Sequence, residues 1–430
     1  MNNSKTIEPL VKSGLCTGCG TCVGICPLDA VEMVVDPRKG VYVPLLDEEK
    51  CNECGLCLDV CPGHAVDFKQ LNLEIFGKEP EDILLGNYLN CYIGHATDYS
   101  IRYNSASGGL ITALLIFALR EGLIDGALVT KMSEDRPLEP QPFIARTNDE
   151  IISASKSKYC PVPANIAIKE ILKEDGKFAV VGLPCHIHGI RKAETVNKRL
   201  KDKIALHLGV LCSHTDTFIG TEFILHKYGI NKEDVAQLDY RGQGWPGSMR
   251  IFLNDGTERY IPYDEYITFH EIYLFASRRC TLCYDSISRL ADITFMDAWL
   301  PEIKAEDKIG KSIIVCRTEE GEALCRGAKS KQHVELEEIA SSRATSSQGK
   351  ARISNKDLKA NFYLSRLYGS SVPNYNTSLP GSGPINYLRA LMIHFNIWVS
   401  TKGYLRKFIN PLVCLESPIF DQAKSKIQGS

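Results

Sequence analysis

Hydrophobic and polar positions between residues 100 and 300 fall into two alternating kinds of run. Longer apolar runs with helical spacing predict helices at 109–121 and 164–173. Because helices and strands that alternate are typical of a parallel or mixed sheet, the predicted fold class of this region is α/β. The short apolar runs that predict the strands lie at 126–130, 177–181, 204–211 and 291–295.

The pattern changes toward both ends of the chain. A stretch with charged residues and glycine at 69–90 is typical of a linker, and a polar stretch at 341–356 separates the core from the last part of the chain. In that last part, apolar residues recur at helical spacing, at Leu388, Leu391, Met392, Phe395 and Trp398. We therefore predict an α+β N-terminal module at 1–70, a linker at 71–98, a mixed α/β core at 99–345 and a helical C-terminal extension at 346–430.

Composition and charge exclude several classes of function. The formal net charge of −2 gives no electrostatic reason to expect a nucleic acid partner. No apolar run reaches the roughly 18 residues that span a bilayer, and the start of the chain lacks the apolar stretch of a secretory signal. We therefore expect a cytoplasmic protein with at most peripheral membrane association. In the reducing cytosol, 17 cysteines indicate metal or redox cofactors rather than disulfides.

An internal repeat of cysteines opens the chain. The pattern C-x2-C-x2-C-x3-C-P occurs twice, and it is the run that holds 4Fe–4S clusters in bacterial ferredoxins. In the two-cluster arrangement the fourth cysteine of each copy binds the other cluster. Structural zinc is the alternative, but it leaves this crossed spacing unexplained. The predicted ligands are Cys16, Cys19, Cys22 and Cys61 for one cluster, and Cys51, Cys54, Cys57 and Cys26 for the other.

Four more cysteines lie in the core at positions that suggest a site. Cys185 and Cys212 each follow a predicted strand, and ligands bind at the carboxyl ends of strands in open α/β sheets. Cys280 and Cys283 form a close pair further along. The four are enough for one more cluster, although unconnected buried cysteines are equally compatible with the spacing. We expect Cys91, Cys316, Cys325 and Cys414 to be buried cysteines of this unconnected kind.

Short motifs in a fixed order connect these core cysteines to a known family. The motifs are SASGG at 105–109, KSKY at 156–159, GLPCH at 182–186, GIR at 189–191, LGVLC at 208–212, CTLC at 280–283, ADI at 291–293 and DAW at 297–299. With these motifs the chain resembles the coenzyme F420 hydrogenase/dehydrogenase beta subunits, which include F420H2 oxidase subunits and 7-hydroxymethyl chlorophyll a reductases. The resemblance, over about residues 95–345, implies a bound FAD and a third 4Fe–4S cluster on Cys185, Cys212, Cys280 and Cys283. His186 and Met296 depart from the family pattern.

The flavin is expected at two of these stretches. A glycine-rich loop that opens a helix presents free amides to a diphosphate, although an ordinary serine-capped helix start explains the same pattern. Basic side chains beside a tyrosine could neutralise phosphate and cover the flavin ring; a solvated basic turn is the alternative. The residues predicted to contact the cofactor are Ser105, Ser107, Gly108, Gly109, Lys156, Lys158 and Tyr159.

Two other features surround the predicted strand ends. Four histidines crowd them, and we expect these to be polar groups of the pocket rather than a metal site. A turn-rich loop at 241–247 is either a lid over the pocket or an ordinary hairpin connection. The histidines are His186, His188, His207 and His214.

The parts together predict an iron–sulfur flavoprotein oxidoreductase. Hydride is exchanged between FAD and coenzyme F420 or another hydride carrier, and single electrons pass through the clusters to or from ferredoxin or a partner protein. The alternatives are a ferredoxin-dependent reductase of an organic substrate and a non-catalytic electron-relay subunit of a larger complex. Since the cofactors carry the chemistry, the sequence identifies no catalytic side chain.

Overall fold

The computed structural model of the chain describes residues 5–409, 411–413 and 416, without the side chains of 350–355, 407 and 408. Cys414 lies outside the described residues. The strands are β1 (Val31–Asp36), β2 (Val41–Leu46), β3 (Asn90–Ala96), β4 (Gly126–Met132), β5 (Pro140–Ala145), β6 (Phe178–Gly182), β7 (Ile204–Val210), β8 (Val235–Asp239), β9 (Ser248–Leu253), β10 (Glu258–Pro262), β11 (Ile293–Asp297), β12 (Ser312–Cys316) and β13 (Val334–Glu338).

Helices connect and cover these strands. The 3-10 helices are Ala164–Ala167, Lys232–Asp234, Arg278–Leu282 and Gly403–Phe408. The α-helices are α1 (Glu8–Lys12), α2 (Thr21–Ile25), α3 (Leu56–Asp59), α4 (Phe68–Phe76), α5 (Tyr99–Tyr103), α6 (Leu110–Arg120), α7 (Asn148–Ser153), α8 (Ile168–Lys173), α9 (Pro184–Val196), α10 (Lys198–Lys203), α11 (Phe218–Lys227), α12 (Tyr263–Glu271), α13 (Pro301–Glu306), α14 (Glu319–Ser330), α15 (Ser341–Ser346), α16 (Gly349–Leu367) and α17 (Pro384–Thr401).

An eight-stranded mixed sheet forms the centre, in the order β13–β3–β12–β11–β7–β6–β4–β5. The strands β11, β7, β6 and β4 are parallel neighbours, and the strands outside them pair antiparallel. The predicted mixed α/β class is therefore confirmed, and the four predicted strands form its parallel part. Alternation along β6 decides the packing, because Ala179 faces the apolar layer of α6 while Phe178 and Val180 face that of α8 and α9.

The segment predicted as a linker, 71–98, is more ordered than its composition suggests. Most of α4 lies in it, and α4 buries Phe68, Leu71 and Asn72. Strand β3 lies in it as well, and it pairs with β12 on one side and β13 on the other. Sheet pairing with strands more than 200 residues away fixes β3, and no local sequence signal reveals such a pairing. The core sheet thus begins before residue 99.

The N-terminal module, residues 5–67, packs on the face of the sheet that carries α8 and α9. Gly20 and Gly55 precede α2 and α3 with φ angles of 82° and 83°, so each cysteine loop enters its helix through a left-handed glycine. Apolar residues of the module and of the core form one continuous cluster, with Val23 and Ile25 beside Ile168 and Ile187. The module is therefore part of the same folded body as the core.

The segment after residue 346 is helical in the described part, with α16 and α17 as its main elements. Leu358 and Phe362 of α16 face the cluster shared by the module and the core, and Ala360 and Leu364 pack against Ala390 of α17. Among the described residues, no helix is long and apolar enough to cross a membrane.

Candidate redox site

One group contains Cys16, Cys19 and Cys22 of the first repeat together with Cys61, the last cysteine of the second repeat. Burial, together with the neighbouring thiols of Cys61 and Cys19, raises the pKa of Cys16 to about 12. Burial and the thiols of Cys19 and Cys16 likewise raise the pKa of Cys22 well above its usual value. Thiolates this close coexist only around positive charge, which a metal centre supplies. The structure brings together the four cysteines predicted for one cluster, and their ligation stays a prediction.

The second group has the complementary membership. Cys26 lines a small cavity of about 20 Å³ together with Cys51, Cys54 and Cys57, so the structure brings together the four cysteines predicted for the other cluster, and their ligation also stays a prediction. Cys54 is exposed, whereas Cys19, Cys22 and Cys61 are buried. In the first group only Cys16 is partly exposed, so the second group is the more exposed of the two.

The core cysteines also meet. Burial, and then the thiols of Cys19, Cys212, Cys283 and Cys280, raise the pKa of Cys185 well above its usual value. Cys185 lies in the first turn of α9, after β6, and Cys212 follows β7, the parallel neighbour of β6. Topology thus places both at the same edge of the sheet, as the sequence predicts. The short helix Arg278–Leu282 brings the remaining pair to them.

Asn165 connects the first cysteine group to the core group. Its amide Nδ2 donates to Thr21 Oγ1 at 2.8 Å and to the carbonyl of His186 at 2.9 Å, and its backbone N–H donates to the carbonyl of Cys19 at 2.9 Å. The side chain is fully buried. Since Cys19 and Cys185 already interact electrostatically, this hydrogen-bonded bridge fixes the two groups beside each other. Asn165 carries no motif signal, and sequence reasoning missed it.

A cavity of about 670 Å³ lies at the carboxyl ends of β6, β7 and β11. Its wall includes Cys212, so the core cysteine group borders the cavity. Six of the seven residues predicted to contact a flavin line it, and the side chains of Tyr263 and Trp299 add further aromatic surface. The six are Ser105, Ser107, Gly109, Lys156, Lys158 and Tyr159.

Gly108 is the predicted contact that does not line the cavity. A carbon atom added at Gly108 would lie 2.6 Å from the carbonyl oxygen of Gly94 in β3 and 2.7 Å from the amide nitrogen of Ser312 in β12. The glycine is therefore required by close packing against the sheet. Gly109 has a different task, because its φ of 74° ends the loop and leaves the start of α6 without a side-chain cap.

The two lysines are already engaged by protein groups. Lys156 Nζ lies 2.7 Å from Asp239 Oδ2. Lys158 Nζ donates to the carbonyls of Ala154, Ser155 and Lys156, and burial lowers its pKa to about 7. These contacts hold the turn after α7 in place. The expected phosphate-neutralising role of the lysines accordingly competes with bonds that they already make.

The four histidines do not gather into one site. His186 Nδ1 accepts from the amide of Leu183, so its Nε2 donates to the carbonyl of Val162, and burial lowers its pKa to about 4. His188 pairs with Asp285 at 2.8 Å, and His207 lies between Glu194 and Asp292. Three of the histidines thus serve separate buried networks, of which only that of His186 borders the cavity.

His214 belongs to a polar cluster that the sequence did not reveal. Its ring stacks on that of His270 with centroids 3.8 Å apart, and Asp216 lies within 3.3 Å of His214 Nε2 and 2.8 Å of His270 Nδ1. These donors are of a kind that binds metals. Nearly parallel stacked rings, however, cannot both point a ring nitrogen at one ion that lies in their planes. The cluster is better described as a hydrogen-bonded wall of the cavity.

The loop 241–247 is the connection between β8 and β9, and it is bonded to the core. Its amides at Gly244 and Trp245 donate to the carbonyls of Tyr103 and Lys308. Arg241 is fully buried, donates to Tyr159 Oη at 3.0 Å, and lies 3.4 Å from Asp297 Oδ2. The loop thus supplies part of the cavity wall.

Comparison with known families identifies the core. Two profiles of the coenzyme F420 hydrogenase/dehydrogenase beta subunit match the chain, the one for its N-terminal part at residues 91–169 and the one for its C-terminal part at residues 175–342. The chain belongs to this family. A 4Fe–4S dicluster domain matches residues 15–65, in front of the family core. The predicted family and the predicted N-terminal cluster domain are both confirmed.

Similar curated proteins with F420-linked names come from archaea. The chain is 29% identical over 254 residues to a coenzyme F420 hydrogenase subunit beta of Methanothermobacter thermautotrophicus, which is 57% of this chain and 83% of that protein. It is 24% identical over 332 residues to the F subunit of the F(420)H(2) dehydrogenase of Methanosarcina mazei, covering 74% of this chain and 83% of that one. Identity to the coenzyme F420-dependent sulfite reductase of Methanocaldococcus jannaschii is 27% over 352 residues, 77% of this chain but 49% of the reductase.

A solved structure shares the fold of the family core. A chain in the xenon-derivatised F420-reducing NiFe hydrogenase complex of Methanosarcina barkeri matches with a TM-score of 0.53 at 22% sequence identity. The match covers 70% of this chain and 99% of that chain. The family core thus has the same fold in both proteins, and this chain adds further segments to it.

Proposed function

We propose that this chain exchanges hydride between coenzyme F420 and FAD held in the cavity, and passes single electrons through three 4Fe–4S clusters to or from a redox partner. The observation that supports this most is the unbroken succession of cysteine groups. Cys212 borders the cavity, Cys185 interacts with Cys19, and Cys22 interacts with Cys57 of the group at the surface. Such a succession serves the movement of electrons between a buried cavity and the surface.

The cavity suits FAD in size and in chemistry. Its volume falls within the usual range for ligand pockets, and the uncapped start of α6, at Leu110 and Ile111, lines it with free amides suited to a diphosphate. Tyr159 and Tyr263 offer aromatic surface to a ring system. FAD, when bound, supplies both hydride exchange and one-electron exchange. Arg241 orients this wall, because it bonds Tyr159 and Asp297 at once.

The cysteines hold the proposed clusters in the three groups that the structure brings together. Buried Arg279 donates to the carbonyls of Leu15 and Pro62, which belong to the module. Burial raises the pKa of neighbouring Cys283 to about 11 and that of Cys280 above its usual value, and the positive charge of Arg279 opposes both rises. A positive group between the module and the core thus partly balances the negative thiolates on both sides. Exposed Cys54 marks the point of exchange with a partner.

A role as a subunit in a larger complex is a second candidate. The hydrogenase and dehydrogenase relatives are named as subunits, and the solved structure is that of a complex. In that case the chain would relay electrons for a catalytic partner, and hydride exchange would take place elsewhere.

Reduced F420 added to anaerobically purified protein separates the candidates. We expect the visible absorbance of a bound flavin to bleach and that of the clusters to follow. In Cys185→Ser, flavin bleaching should persist, whereas reduction of a viologen acceptor should slow. Cys91→Ser is the matched control, since Cys91 is buried in β3 away from the three groups. Absence of flavin from protein with full clusters would rule out hydride exchange and leave the relay role. A bound flavin that reduced F420 does not bleach would rule out F420 as the hydride donor.

A further inference from the structure

Helix α17 exposes apolar side chains and buries polar ones, which is the reverse of the usual pattern for a surface helix. Its exposed side carries Ile385, Leu388, Leu391, Phe395 and Trp398, of which Phe395 is 48% and Trp398 49% exposed. Its buried side carries polar and charged residues among the apolar ones. Surface helices ordinarily bury the apolar side, so this reversal needs a reason. The buried polar residues are Asn386, Arg389, Asn396 and Ser400.

Hydrogen bonds fix this orientation. Arg389 Nη2 lies 2.6 Å from Asp357 Oδ2, and Asn386 Nδ2 donates to Asp357 Oδ1 at 2.7 Å. Asn396 Nδ2 donates to the carbonyl of Ile272 at 2.8 Å. Rotation of α17 to hide the apolar side would leave these buried groups without partners, at a cost of about 1–3 kcal/mol for each group and more for the charged ones. The apolar stripe is therefore held outward by the fold.

Helix α16 extends the stripe sideways. The ring of exposed Tyr363 contacts that of Tyr387 at 5.7 Å, and Tyr368 contacts His394 at 5.9 Å. Exposed Lys359 and Arg366 lie on the same side of α16 as Tyr363, one turn before it and one after it. We call the surface formed by these residues and the stripe the outer face. Its centre is apolar and aromatic, and its margin on α16 is basic.

The segment that carries the outer face is rich in basic residues. From residue 358 to residue 415 the sequence contains six basic residues and no aspartate or glutamate, although the whole chain has 52 acidic and 50 basic residues. The six are Lys359, Arg366, Arg389, Lys402, Arg406 and Lys407. Lys359, Arg366 and Lys402 are exposed, whereas Arg389 is buried and paired with Asp357. Asp357 and Glu416, which bound the segment, are both buried.

We propose that the outer face docks on the surface of an anionic lipid bilayer. Leucine, phenylalanine and tryptophan in a single stripe insert at the boundary of headgroups and acyl chains, while tyrosines suit the headgroup level. Basic residues at the margin attract anionic headgroups, and the lack of carboxylates removes repulsion. The matched parts of the family end at residue 342, so this surface is an addition to the shared fold. Docking by this face would place the redox core at a membrane, although no helix in the described part of the chain crosses one.

Flotation of the full-length protein with vesicles tests this proposal. We expect binding to phosphatidylcholine vesicles that contain phosphatidylglycerol, weakened by added salt, and little binding to pure phosphatidylcholine. Leu391→Glu/Phe395→Glu should reduce binding by about tenfold or more, because two carboxylates would face the anionic surface. Leu123→Glu is the control: Leu123 is 47% exposed but lies at the end of α6. Cluster absorbance checks that each variant is folded.

Three outcomes would overturn the proposal. One is failure to bind either kind of vesicle, and another is equal binding by the double variant and its control. The third is a salt-resistant dimer that the double variant abolishes, since the outer face would then be covered by a second copy of the chain. Equal binding to neutral and anionic vesicles would contradict the electrostatic part in particular.

Discussion

Gly108 allows a quantitative test of how the loop before α6 works. The substitution Gly108→Ala adds a carbon that would lie 2.6 Å from Gly94 O and 2.7 Å from Ser312 N, both backbone atoms of strands. The loop also makes two hydrogen bonds here, from Gly108 N to Ser312 Oγ at 2.9 Å and from Ala96 N to Gly108 O at 2.7 Å. Either the strands or the loop must move.

The expected cost follows from these contacts. Overpacking a close-packed interior costs about 1–3 kcal/mol, and each hydrogen bond contributes about 1 kcal/mol. We therefore expect Gly108→Ala to lower the free energy of unfolding by about 2–5 kcal/mol. Gly108→Asp adds the same first carbon, so it should destabilise the protein at least as much. FAD content should fall in both variants, because the amides at the start of α6 move with the loop.

Denaturant unfolding followed by tryptophan fluorescence measures the effect, with the FAD content of the purified protein determined in parallel. Gly381→Ala is the matched control, since an added carbon there meets nothing within 4 Å. Unchanged stability of Gly108→Ala would refute the packing argument. If only Gly108→Asp lost FAD, and at normal stability, repulsion of a diphosphate would be the correct explanation.

Three further predictions concern the clusters, the module and pH. Anaerobically purified protein should contain about twelve irons and twelve acid-labile sulfides, and Cys280→Ser/Cys283→Ser about eight of each; an unchanged count, or zinc, contradicts the ligand sets. A chain that begins at Asn72 should be poorly soluble, because the module shares one apolar cluster with the core; a soluble, FAD-binding product would show that the core folds alone. Burial lowers the pKa of His394 to about 4. The free energy of unfolding should therefore decrease as the pH falls below about 6.5, because the unfolded chain then binds a proton that the folded protein does not. In acid unfolding, His394→Gln should flatten that dependence.

Local patterns in the sequence predicted the strands β4, β6, β7 and β11 and the cysteine repeat, because apolar periodicity and ligand spacing are local properties. Strand β3 was not predicted, because its place between β12 and β13 depends on pairing with distant segments. The helix predicted at 164–173 begins as a 3-10 turn, where Asn165 meets the module. Contacts between distant segments decided each of these differences.

Site residues were predictable where a motif named them and not where the fold assembled them. The cysteines carry a spacing signal, and six of the seven residues expected at the flavin line the cavity. Gly108 does not line the cavity, and its close packing on β3 and β12 depends on distant segments that no motif reveals. Asn165 bonds the distant Thr21, and Asp216 lies beside the distant His270, so no spacing in the sequence could reveal either contact. The role of Lys156 depended on a distant partner, Asp239, which lies 83 residues away along the chain.

Helix α9 determines the distance between two of the cysteine groups. Cys185 lies in its first turn, and Lys192, two turns later, donates from Nζ to the carbonyls of Cys61 and Ala65 in the module. Between them, Gly189 packs so closely on Thr21 that an added carbon would lie 2.1 Å from its hydroxyl oxygen. Helix α9 thus carries Cys185 of the core group and also contacts the module beside Cys61, so this one helix fixes the distance between the two cysteine groups. With the proposed clusters bound, electron tunnelling between the two groups would fall off exponentially with distance. A distance set by a single helix would keep the transfer rate insensitive to motions elsewhere in the protein, and Gly189→Ala should then slow the transfer.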